Sequence, residues 1–132
     1  MKNNVKAVIL LLSIFLGGYS IAQSDDPCGA PALTVGASCS FSTYTNATAT
    51  ASAGVPAPGC ASYSGGDVWF TITVPASGDV TVDLSQGVIT DGGMAIYTSA
   101  GGCTGPFTLL ACDDDGSANG LMPSITTSSL AP

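Results

Sequence analysis

Beyond residue 22, apolar positions come in short runs, each closed by Gly, Pro, Ser or Asp. Val80, Val82 and Leu84 alternate with Thr81 and Asp83, the period-two pattern of a strand with one dry face. The strongest β candidate is Val68-Trp69-Phe70-Thr71-Ile72-Thr73-Val74. It is rich in aromatic and β-branched residues and stops at Pro75, which cannot continue a ladder. Residues 75–79 (PASGD) then read as a turn, with Pro presetting φ and Gly supplying positive φ. Similar patterning predicts strands over 32–35, 39–44, 47–52, 67–74, 79–84, 94–98, 107–112 and 124–128. Gly and Pro recur too often for a long helix, and no segment carries a sustained helical period. Short strands at regular spacing predict one all-β domain, a sandwich or a barrel, without internal repeats.

The first 22 residues differ in kind. Lys2 and Lys6 precede an apolar stretch, Ala7 to Leu16, and Ser20-Ile21-Ala22 places small residues where a leader is cut. This is the layout of a secretory signal peptide. The competing reading is a membrane anchor, but about ten apolar residues fall short of the ~20 a spanning helix needs. The expectation is a signal peptide over 1–22, a module over 23–132, and no membrane span after cleavage. All five cysteines (28, 39, 60, 103 and 112) fall in the module, as in disulfide frameworks of oxidising compartments. Cys103 and Cys112 flank a Gly-Pro turn, and Cys28 and Cys39 flank a short strand and a Gly turn. These two pairs are the expected disulfides, unless the pairing differs or Cys60 has a partner outside the chain.

Charge narrows the chemistry. Both basic residues are Lys2 and Lys6, all nine acidic residues are Asp, and there is no His. Nucleic-acid binding lacks the cations to neutralise phosphates. Histidine-based acid–base or nucleophilic catalysis and His-ligated zinc are excluded. Two Asp could serve glycoside hydrolysis, but a cleft in so small a module is not expected, and the chain is read as a non-enzyme. The one stretch resembling a site is Asp113-Asp114-Asp115-Gly116. Three successive carboxylates repel, no internal cation relieves them, and Ca²⁺ takes such oxygen ligands. Asp67 and Asp91, each beside glycine, are candidates to join them. The loop lacks the EF-hand glycine and glutamate positions, so the alternative is a solvated acidic turn with local backbone bonds. Trp69 is read as core before sugar platform. Asn46-Ala47-Thr48 has the form of a glycosylation sequon.

Several stretches together point to a family. They are Asp26-Pro27-Cys28-Gly29-Ala30-Pro31, Gly54-Val55-Pro56-Ala57-Pro58-Gly59-Cys60, Gly65-Gly66-Asp67-Val68-Trp69-Phe70, Met94-Ala95-Ile96-Tyr97 and Ala111-Cys112-Asp113-Asp114. The chain resembles a β-sandwich module of large secreted proteins of Bacteroidetes-type bacteria, which often carry a type IX secretion sorting domain. That module is similar to pre-peptidase C-terminal domains and, in layout, to the CUB jelly roll. The resemblance implies a jelly-roll-like antiparallel β-sandwich. It also implies that Leu130-Ala131-Pro132 is followed by two further strands and by downstream domains of a longer parent chain. The implied role is non-catalytic adhesion to an extracellular protein or glycan, with Ca²⁺ by analogy. The alternatives are an accessory domain of a secreted peptidase and a small carbohydrate-binding module.

Overall fold

The computed structural model describes residues 24–132, so the expected signal peptide over 1–22 lies outside the described residues. Six strands form: β1 (Ala32–Leu33), β2 (Thr71–Ile72), β3 (Val80–Asp83), β4 (Met94–Ser99), β5 (Phe107–Asp113) and β6 (Ser124–Thr127). The described residues contain only two three-residue 3₁₀ turns, Pro27–Gly29 and Gly102–Thr104, as helical elements. The fold is therefore a small all-β one. Its strands pair as β1–β2 (parallel), β3–β6 (antiparallel) and β4–β5 (antiparallel).

The longest ladders are the two antiparallel ones, β3–β6 and β4–β5. In β3–β6, Val80 lies opposite Thr127 and Val82 opposite Ile125. Val80, Ile125, Met122 and Pro123 are buried and make the dry core. Burying one such aliphatic side chain contributes about 1.5–3 kcal/mol. The turn entering β3 forms as expected. The Gly78 N–H donates to the Pro75 carbonyl, and Gly78 sits at φ +75° with the Leu130 carbonyl pressed where a Cβ would be. A side chain there would meet both penalties.

β4 and β5 run as a hairpin from Met94↔Asp113 to Ser99↔Phe107, with a register shift between Ile96 and Tyr97. Ile96 faces Ala111 and Tyr97 faces Leu109, so Leu110 is the extra residue of a bulge. The segment before Pro75 is less regular than its composition predicts. Only Thr71–Ile72 is strand, with an isolated antiparallel bridge from Trp69 to Ser24. Alternation still holds there. Trp69 packs against Tyr97 and Phe107, with ring centroids 5.7 Å away in each case. Phe70 meets Tyr44 edge-on at 4.5 Å.

Two expected strands, 39–44 and 47–52, do not form. In the second, side chains take the place of a neighbouring strand. The Thr50 N–H donates to the Asp25 carboxylate and the Ser52 N–H to Asp67. Thr48, at φ +71°, also interrupts the extended path.

The cysteines pair at long range, as Cys28–Cys103 and Cys60–Cys112, and Cys39 is free and exposed. This corrects the two local pairs expected from spacing. Cys103 sits in the turn before β5, whereas Cys112 lies near its far end. Phe107 and Cys112 lie five residue steps apart on the strand, a span of roughly 16 Å at the rise of a strand. A disulfide tolerates only about 7 Å between Cα atoms. Cys28 instead meets Cys103 where the two 3₁₀ turns come together, with Cα atoms 4.6 Å apart.

Candidate cation site

The β4–β5 register decides which aspartates meet. Because Met94 lies opposite Asp113, residues just before β4 and just after β5 emerge at the same end of the hairpin. Asp91 is on the first side and Asp114 and Asp115 on the second. Their carboxylates converge, with one oxygen from each lying within 4.8 Å of the others. Asp91 and Asp115 are exposed and Asp114 is half-buried. The described residues include no Lys, Arg or His, so no ion pair offsets this charge there. Partial desolvation, followed by the charges of Asp115, Asp91 and Asp113, raises the pKa of the Asp114 carboxyl above its ordinary value.

The other two expected members of the group are used elsewhere. Asp113 Oδ2 accepts the backbone N–H groups of Ser124 and Gly116, each at 2.8 Å. Those bonds lower its pKa. Asp113 is thus the brace of the acidic turn, tying it to the start of β6. Asn119 braces the other end, its Oδ1 accepting from Ser117 Oγ and from the Leu121 and Met122 N–H groups.

Asp67 forms a separate centre. Its carboxylate accepts from Tyr63 OH at 2.5 Å, Ser52 Oγ at 2.6 Å, Trp69 Nε1 at 2.7 Å and the Ser52 N–H at 3.3 Å. Burial pushes this carboxyl up, but the hydrogen bonds from Ser52, Tyr63 and Trp69 outweigh it and hold the pKa below 3.8. The same bond to Asp67 lifts the Tyr63 hydroxyl to about 12. Burial, then the Asp67 charge, raises Tyr97 as well. Trp69 belongs to this centre, with its ring against Tyr97 and Phe107 and its N–H bonded to Asp67 and Ser52.

Ser52 and Tyr63 were not singled out by the sequence. Asp67 and Trp69 are two apart on an extended segment and so share a face, which is the signal that could have linked them. Asp25 carries no such local signal. Its carboxylate holds Thr50 through both the backbone N–H and Oγ1.

The site residues therefore divide in two. Asp91, Asp114 and Asp115 form a triad without hydrogen-bond donors among the described residues, whereas Asp67 accepts on both carboxylate oxygens and Asp113 on Oδ2. The triad has the hard oxygen donors that a divalent cation such as Ca²⁺ takes. Among the described residues no helix is long and apolar enough to cross a membrane. No protein-family model matches the chain, and neither a curated protein nor a solved structure matches it.

Proposed function

We propose that this chain is a non-catalytic extracellular binding or adhesion module that takes up Ca²⁺ at Asp91, Asp114 and Asp115. The observation that carries the reading is the convergence of three donor-free carboxylates where the described chain offers no counter-charge. A Ca²⁺ ion takes six to eight oxygens. Three carboxylates supply the charge, leaving backbone carbonyls and water to complete the shell. The two disulfides support an oxidising compartment, in keeping with an exported chain. The resemblance to secreted β-sandwich modules of the pre-peptidase C-terminal and CUB type supports a jelly-roll-like reading and an extracellular protein or glycan partner.

A carbohydrate platform at Trp69 is disfavoured, because the ring is packed on Tyr97 and Phe107. Calorimetric titration of the whole chain with Ca²⁺ tests the proposal, together with a thermal melt. Saturable heat and a raised melting temperature are expected, both lost in Asp114→Asn/Asp115→Asn. No heat and an unmoved melt would remove calcium from the account.

A further inference from the structure

Asp114 also borders an open cavity of about 620 Å³, lined otherwise by Ala57 and residues 59–63. The wall formed by residues 60–63 is held from several sides. The Tyr63 N–H closes the turn onto the Cys60 carbonyl, and Cys60 is bonded to Cys112 on β5. Ala61 and Ser62 sit at φ +57° and +46°, in the left-handed region. Residues other than glycine stay there only where their surroundings fix them. One such constraint is visible, since a Cβ on Gly93 would lie 2.1 Å from the Ala61 Cβ. The turn is therefore seated directly on the backbone that leads into β4. The other end is pinned by Tyr63, whose hydroxyl is committed to Asp67.

The lining has a definite chemistry. Ala57, Gly59, Ala61 and Ser62 are small and leave room. Asp114 is the single charged group, and Tyr63, 40% exposed, is the single aromatic. No cation among the described residues can occupy the space. The cavity is too open to enclose a free small molecule, as ligand pockets do. It suits one side chain projecting from another surface. A guanidinium fits this pair best, because it binds carboxylate bidentately and stacks on aromatic rings, whereas an ammonium acts as a point charge.

We infer that the cavity receives an arginine side chain of a partner protein, with Asp114 as its charge partner and Tyr63 as its aromatic wall. The inference rests on reading the chain as a binding module and names the chemistry of its partner. It also implies competition, since Ca²⁺ at the triad and a guanidinium in the cavity both require Asp114.

The test titrates the ¹⁵N-labelled whole chain, free of Ca²⁺ and at low salt, with acetyl-Gly-Arg-Gly-amide. The citrulline peptide, a neutral near-isostere, is titrated in parallel. Expected are saturable shifts centred on residues 59–63 and 114, little response to citrulline, and reversal by Ca²⁺. Asp114→Asn should weaken binding about tenfold, the size of a lost charge-assisted bond, whereas Asp79→Asn, in a remote turn, should not. Ala57→Phe, which fills the cavity, should abolish binding and serves if Asp114→Asn fails to fold. Equal binding of citrulline, no saturable shift, or equal effects of the Asp79 and Asp114 variants would overturn the inference. A Ca²⁺ response without an arginine response would overturn it while leaving the calcium proposal standing.

Discussion

Asp67 and Asp114 are carboxylates of one acidic chain that lie on either side of a single turn, residues 60–63. Asp67 is surrounded by donors, from Ser52, Tyr63 and Trp69, and its pKa is held below 3.8. Asp114 accepts no hydrogen bond among the described residues, and partial desolvation followed by the charges of Asp115, Asp91 and Asp113 raises its pKa. Neither centre has a cationic side chain beside it among the described residues. What separates them is the supply of oriented N–H and O–H groups, which stabilise a negative charge without an opposite one. One centre spends its charge on holding the fold together. The other leaves its charge available.

The largest effect is expected from removing what joins the two centres. Cys60→Ser/Cys112→Ser frees the turn that carries Tyr63 to Asp67 and borders the cavity. A loss of about 2–5 kcal/mol in urea unfolding is expected. A loss below ~1 kcal/mol would show that the centres hold themselves. Next comes Asp67→Ala, which strands several donors at once. About 1–3 kcal/mol is expected, along with altered tryptophan fluorescence as the Trp69 N–H loses its acceptor.

The pH dependence should then carry both signs. Asp67, with its lowered pKa, contributes stability that is present above pH 3.8 and lost as pH falls through the folded value. Asp114, with its raised pKa, contributes stability that is complete below 3.8 and lost as pH rises through its folded value. Urea midpoints should rise slightly as pH falls from neutral toward the Asp114 titration and drop below pH 3.8. Asp114→Asn should flatten the rise and Asp67→Asn soften the drop. At the alkaline end, Tyr63 should ionise near pH 12 by ultraviolet absorbance, moving back toward 10.0 in Asp67→Asn. The smallest effect is that of Asp114→Asn at neutral pH. A slight gain in melting temperature at low salt, erased by added salt, is expected from relieved repulsion. A clear loss would make Asp114 a structural residue like Asp67.

Legibility in the sequence followed the range of the interactions. Alternation within 79–84 and the short apolar, strand-prone runs at 94–98, 107–112 and 124–128 are local information, and those ladders form close to where it places them. The segments at 39–44 and 47–52 have strand-like composition but find no strand to pair with, and composition cannot supply one. The cysteines show the same limit. Flanking turns suggest near neighbours, while the extended length of β5 sends Cys112 away from Cys103. The glycines beside Asp91 suggest it as a partner of the acidic run, but the cause is the hairpin register that returns it beside Asp114. Asp67 carries the same glycine cue. Its role was decided by donors at 52 and 63, whose proximity no local pattern announces.

The two disulfides interlace, since Cys60 falls between Cys28 and Cys103, and Cys103 between Cys60 and Cys112. A single backbone cut anywhere from residue 28 to residue 112 therefore never releases a fragment. Each half keeps a sulfur bond to the other. The strandless stretch 34–68 is the natural place for a protease to enter. A nick there would pass unseen on a non-reducing gel and appear as two bands once reductant is added. The chain thus has covalent redundancy where its secondary structure is thinnest.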